Sequence, residues 1–189
     1  MALLTIQPTA LDQAIAGVIA RHARPPLEKS AEMLTLAADE HVLLAVVGGL
    51  VVASLFGSAR QRRASAYLAA NAAISAVVPH LLKGIVDQRR PDRNVRRAGR
   101  GIPRSGKADN AFPSGHAMHI GAIAAALTRL DRRLGPAAWG VGGVIAATRI
   151  FLLAHWASDV LAGLALGVLI ERGVWSAKRA LSHRMKNAA

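Results

Sequence analysis

The sequence predicts an all-α fold: an integral-membrane helical bundle of five to six transmembrane helices with an N-terminal amphipathic helix. Three observations carry this. Hydrophobic residues make up 52% of the 189 and mean hydropathy is +0.30, which is more apolar than most soluble single domains. Ala, Leu, Val and Gly dominate that content, against three Trp, three Phe and one Tyr, as in helices that pack closely in lipid. Five apolar stretches, at about 41–57, 64–86, 115–130, 136–154 and 157–174, are just long enough, at about 1.5 Å per residue, for the roughly 17–25 residues of a crossing. A soluble bundle of buried helices is the alternative reading of the same stretches.

Taken in order, "LDQAIAGVIARHARPPLEKSAE" has an apolar face over two to three turns before Pro25-Pro26 breaks it. An amphipathic helix on the membrane surface is expected, with packing against the bundle as the alternative. The N-terminus shows no basic region followed by an apolar core and a small-residue cleavage site, so no removable signal peptide is expected. The stretch "HVLLAVVGGLVVASLFG" is the cleanest span, whereas the second carries Asn71, Pro79, His80 and Lys83 and must face protein or a wet cavity. The expected organisation is an interfacial segment over 1–40, a transmembrane domain over 41–176 and a basic cytoplasmic tail over 177–189.

The charge is strongly positive, with 24 Lys and Arg against 11 Asp and Glu, a formal net charge of +13. It lies in short clusters between apolar runs instead of one stripe, which argues against nucleic acid as a partner. With no cysteine, disulfides and thiolate metal sites are excluded. Five spans put the loop 87–114 and the junction 154–157 on one side. The turns at 58–63 and 130–135 and the tail, with Arg60, Arg62, Arg63, Arg132, Arg133, Arg184 and Lys186, fall on the other. The positive-inside tendency makes that second side cytoplasmic and the first extracytoplasmic. The first side is arginine-rich too, in "DQRRPDRNVRRAGRGIPRSGK", so its arginines need another task.

Three constellations on that side supply one. If the second span stays helical, Lys83 and Arg90, seven apart, lie within about 20 degrees of one face and converge on one anion, with Pro91 marking the helix end. Snorkelling reads equally well for either cation alone. Ser114 and Gly115 then open a helix whose free N–H groups and positive dipole end make an anion site. His116 reaches the same anion as a proton donor, and His119 stands one turn on; for a lone histidine there, a cap or packing role competes. In "TRIFLLAHWASD", His155 and Asp159 are four apart, so a helical turn would set the carboxylate beside the imidazole to fix its tautomer. Arg149, six residues before His155, shares a ligand with it only if the chain turns between them. Several cations, a helix N-terminus, a proton donor and an oriented imidazole are equipment for phosphoryl transfer.

The ordered set Lys83-x6-Arg90-Pro91, Pro113-Ser114-Gly115-His116 and Arg149-x5-His155-x3-Asp159 resembles the signature of the type 2 phosphatidic acid phosphatase superfamily. Where that family usually has Ser-Arg in the third motif, this chain has Thr148-Arg149, which keeps the hydroxyl. The resemblance implies that Lys83, Arg90 and Arg149, with Ser114 and the Gly115 N–H, hold phosphate. His155, held by Asp159, attacks phosphorus to give a phosphohistidine, and His116 protonates the leaving oxygen. It implies no metal and no other cofactor. The expected partner is a membrane lipid phosphate: a polyprenyl diphosphate for preference, or phosphatidate or phosphatidylglycerophosphate, met at the extracytoplasmic face of the plasma membrane. Residues 1–40 have no counterpart in the motifs. Vanadium-dependent haloperoxidases share the same residues but are larger and soluble; a non-enzymatic channel or scaffold leaves the coincidence of three motifs unexplained.

Overall fold

The computed structural model describes residues 3–22, 24–95, 102 and 104–187, except for the side chain of Lys186. The centre of the arginine-rich loop, at 96–101 and 103, lies outside the described residues. The helices are α1 (Ala10–His22), α2 (Pro25–Thr35), α3 (Glu40–Leu55), α4 (Ala59–Lys83), the single turn α5 (Pro91–Asn94), α6 (Gly115–Leu130), α7 (Gly135–Phe151) and α8 (Ala157–Asn187). Two-residue strands β1 (Leu4–Thr5) and β2 (Val86–Asp87) pair in parallel, Leu4 with Val86 and Thr5 with Asp87. Strands this short carry no alternation, so the all-α expectation misses them.

Local chemistry sets the helix starts. The Asp39 carboxylate accepts from the His41 and Val42 amides to open α3. Ser58 and Gln61 form a reciprocal capping box on α4, and Ser114 Oγ accepts from the Ala117 amide at 3.4 Å to open α6. Each such cap contributes about 1 kcal/mol.

Helix α6 is the central element: it buries Ala117, Met118, His119, Ile120, Gly121, Ala122, Ala124 and Ala126 and packs on α4, α7 and α8. Its approach to α8 is backbone to backbone. A Cβ added at Gly163 would lie 2.5 Å from the Ser114 carbonyl oxygen, and one at Gly167 would overlap the Met118 carbonyl. Gly163-x3-Gly167 is thus a small-residue seam in α8, the arrangement that lets helices close in lipid. At the far end, buried Glu171 of α8 accepts from Tyr67 Oη of α4 and from the Arg129 guanidinium of α6, tying three helices by one carboxylate.

Among the described residues, three segments are long and apolar enough to cross a membrane: Ala59–Lys83, Arg132–Phe151 and Ala157–Met185. The pair Pro25–Ala38 and Glu40–Leu55, bent by 43°, makes a fourth if it is one span. The sequence expectation was five to six. Helix α6, at 16 residues, extends only about 24 Å against a hydrocarbon core of about 30 Å, and α3 reaches a full crossing only together with α2. Outward-facing Val46, Leu50, Val52, Val141, Val144 and Leu161 are all exposed, the surface of a chain that meets lipid. Helix α8 runs unbroken past residue 176 to Asn187, so the basic tail continues a span. Helix α1 buries Asp12 and Ala16 while Leu11 and Val18 stay exposed; one narrow face packs on the bundle and the rest does not.

Candidate active site

The Asp39 end of α3, the Lys83 end of α4, the Gly115 end of α6 and the Arg149 end of α7 meet around a cavity of about 240 Å³. Of the residues singled out from sequence, Lys83, Arg90, Gly115, His116, Arg149 and His155 line it. Ser114 and Asp159 stand behind its wall, both fully buried.

Lys83 and Arg90 arrive by a route different from the expected one. Helix α4 ends at Lys83 with Gly84 as its cap, and the chain passes through β2 before Arg90 caps the single turn α5. The two cations meet across a bend, not along one helical face. The segment from Gly106 to Asn110 then holds Arg90, whose Nε donates to Lys107 O at 2.8 Å and Nη2 to Asn110 Oδ1 at 2.9 Å, while Nη1 donates to Ala154 O of the turn after α7 at 2.7 Å. Gly106, with φ of 39°, lets that loop lie against the guanidinium, because a Cβ there would stand 3.1 Å from Arg90 Nη2.

The chain does turn between Arg149 and His155. Helix α7 ends at Phe151, Leu153 takes a left-handed φ of 53°, and the amides of Ala154 and His155 both donate to Arg149 O, at 3.1 and 3.2 Å. A non-glycine residue in that region costs on the order of 1–3 kcal/mol; here the strain folds His155 back over Arg149. The Arg149 Nη1 donates to Thr35 Oγ1 of α2 at 3.3 Å, and its buried Nε has no partner among the described residues. Thr148, at the family's usual serine position, donates to Ile145 O at 2.6 Å and so serves its own helix.

His155 has a definite proton arrangement. Its Nδ1 lies 2.6 Å from Ala111 O. A carbonyl only accepts, so Nδ1 carries the hydrogen and Nε2 keeps its lone pair, with Arg90 Nη1 at 3.4 Å from it. Burial, then the charges of Arg90, Arg149 and Lys83, push His155 well below the usual histidine range. The Asp159 carboxylate does lie beside the imidazole, with Oδ2 at 3.8 Å from Nδ1, but Ala111 O and not Asp159 takes the Nδ1 hydrogen, and Oδ2 accepts from the Trp156 amide at 2.8 Å. The reason is that α8 begins only at Ala157, so His155 precedes the helix and i,i+4 spacing does not set its geometry.

Sequence reasoning passed over Asp39 and Glu40, which line the cavity with His80 and His119. The His80 Nε2 lies 2.9 Å from Glu40 Oε2. Ser75 Oγ donates to Ala72 O and therefore accepts from His119 Nδ1, at 3.0 Å. An Asp directly ahead of an apolar run was the available signal, since it marks a helix start at the same end of the bundle as Lys83.

The sequence profile of the PAP2 superfamily matches residues 64–182, well over half of the chain. The chain belongs to the PAP2 superfamily. Two curated relatives are each called lipid A 1-phosphatase. The one from Rhizobium etli is 37% identical over 105 residues, covering 54% of this chain and 45% of that relative. The one from Rhizobium johnstonii is 37% identical over 105 residues, covering 54% and 43%. The PAP2 chain thus spans less than half the length of these relatives. Among solved structures, the fold is similar to Aquifex aeolicus LpxE (TM-score 0.68, 17% identity, covering 91% of this chain and 99% of that one). It is also similar to a transmembrane PAP2 type phosphatidylglycerolphosphate phosphatase from Bacillus subtilis (TM-score 0.65, 19% identity, 90% and 86%). The PAP2 motifs quoted from sequence fall inside the matched region; α1, α2, α3 and the first turn of α4 precede it.

Proposed function

We propose that this PAP2 protein is a membrane phosphatase for lipid phosphates, working through a phosphohistidine on His155. The observation that carries the reading is the bare Nε2 of His155 at a cavity lined by Lys83, Arg90 and Arg149. The three cations and the Gly115 N–H at the start of α6 hold the phosphate oxygens. His155 Nε2 attacks phosphorus and the bond to the lipid oxygen breaks, while His116 gives that oxygen a proton. Water then attacks phosphorus, His116 takes its proton, the N–P bond breaks and phosphate leaves. Ala111 O orients the ring, and the Asp159 carboxylate, 3.8 Å away, stabilises the charge the ring acquires. Ser114 serves by capping the helix that presents Gly115 and His116.

An apolar cleft of about 210 Å³, lined by Ala38, Ile120, Ile123, Leu127, Val141 and Ile145 among others, shares His119 with the phosphate cavity. It is suited to the lipid chain, leaving the polar cavity to read mainly phosphate. The candidates are therefore polyprenyl diphosphate, phosphatidate, phosphatidylglycerophosphate and, from the names of the curated relatives, the 1-phosphate of lipid A. The supported orientation puts the cavity on the extracytoplasmic face of the plasma membrane, with the arginines of 58–63 and 130–135 in the cytoplasm. Helix α1 forms the interfacial segment, α4, α7 and α8 cross fully, α2 and α3 cross together as a bent pair, and α6 packs within the bundle.

The test is phosphate release from a panel of these lipids by purified protein with excess EDTA. Turnover of at least one lipid phosphate is expected, with at least about a thousandfold loss in His155→Ala. Full activity in that variant, or activity restored only by added magnesium, contradicts the reading.

A further inference from the structure

We propose that Asp12, on the N-terminal helix outside the family-matched region, is a positioning residue for the His155 turn, a role that rests on the phosphatase reading above. The Asp12 carboxylate is buried and reaches across to the first turn of α8. Its Oδ1 accepts from the Ser158 amide at 2.9 Å, and Oδ2 accepts from the Ser158 hydroxyl at 2.8 Å. It also closes its own helix: Oδ2 accepts from the Thr9 amide and hydroxyl, at 3.0 and 2.8 Å, while Thr9 Oγ1 accepts from the Asp12 amide at 3.1 Å. One carboxylate therefore caps two helices, and the second of them starts between His155 and Asp159.

A second contact comes from the same face of α1. Ala16, one turn after Asp12, packs with Ala111, Leu153 and Trp156. Leu153 is the residue with left-handed φ, Trp156 follows the nucleophile, and Ala111 carries the carbonyl that takes the His155 Nδ1 hydrogen. Trp156 is further pinned by its indole N–H on Arg89 O at 2.8 Å. Helix α1 thus touches the turn at Ser158 through Asp12 and at Ala111, Leu153 and Trp156 through Ala16. Burial disfavours the Asp12 carboxylate, but the hydrogen bonds from Ser158 and Thr9 outweigh it and hold the group below the usual carboxylate value. The anion also suits the positive end of α8. Placement of a reacting group to within an ångström is where positioning matters, since a shift of that size lowers rates on the order of a hundredfold.

The experiment uses the full chain in detergent or nanodiscs, with p-nitrophenyl phosphate and whichever panel lipid the wild type turns over, and normalises rates to the folded fraction. Asp12→Ala is expected to lower kcat on the order of ten- to a hundredfold while KM stays within about threefold, and Asp12→Glu to recover part of kcat. A helix that only adds stability would lower the folded fraction and leave kcat per folded molecule unchanged; that result overturns the proposal. Should Asp12→Ala not fold, Ser158→Ala carries the test: it removes the hydroxyl bond, keeps the amide and should lower kcat severalfold, and an unchanged kcat overturns the proposal. His155→Ala in parallel separates the two ideas. If it stays active the phosphatase reading fails; if it is inactive and Asp12→Ala is fully active, only the positioning role fails.

Discussion

A histidine can attack phosphorus only through a nitrogen that is unprotonated and faces the substrate, and in the proposed mechanism His155 owes both conditions to its neighbours. Ala111 O takes the Nδ1 hydrogen, and burial with the cations around it keeps Nε2 bare. The pH dependence follows with a definite sign. His155 is held well below 6.5, so protonation of the free enzyme's nucleophile reduces kcat/KM only at a pH well under that value, and the acid limb should show no inflection from His155 near 6.5. The same shift makes the unfolded chain bind the proton more readily. Its contribution to stability is present above the ordinary value and declines as pH falls below it toward the folded value. A pH–rate profile checks the first statement; an acid limb centred on the ordinary histidine value contradicts it. At this scale the sequence exposed the side chains but not their partners. Spacing pointed to His155, Arg149 and Asp159, yet the orienting acceptor is a main-chain carbonyl 44 residues away, and a carbonyl has no sequence signature.

Between elements, the site depends on how closely α6 and α8 approach, because α6 carries Gly115 and His116 and α8 opens at the His155 turn. The glycines at 163 and 167 permit that approach. Gly167→Leu should therefore destabilise the bundle by about 3 kcal/mol or more, above the usual range for overpacking since the obstacle is backbone. Gly173→Leu, where a Cβ meets nothing, should be nearly neutral. Thermal unfolding in detergent compares them, and equal melting temperatures would contradict the seam. The cap residues and the apolar runs that make these helices were legible beforehand. The end of α4 was not: the apolar run continues past Lys83 to Val86, so pattern alone extended the helix, whereas Gly84 and the pairing of β2 with β1 end it.

For the whole molecule, the candidate active-site cavity and the arginine-bearing turns lie at opposite ends of the helices, which the count of apolar stretches anticipated without fixing which helices cross fully. Length distinguishes them: α4, the segment ending in α7, and α8 suffice alone, while α2 and α3 meet at a bend. The proposed orientation predicts that a cysteine at exposed Arg104 is labelled by an impermeant reagent in intact cells and one at Arg184 only after lysis; the chain has no native cysteine to interfere, and the reverse pattern overturns the assignment. The N-terminal segment was the least legible part, since α1 reads as a surface helix until Asp12 is seen to meet Ser158. The central claim, that His155 carries the phosphoryl group, has a direct measurement: mass spectrometry of His116→Ala protein mixed with p-nitrophenyl phosphate. Its leaving group needs no proton donor, whereas the later attack by water lacks its base. A phosphoryl group accumulating on His155 is the predicted result; turnover with no adduct there, or an adduct on another residue, would contradict it.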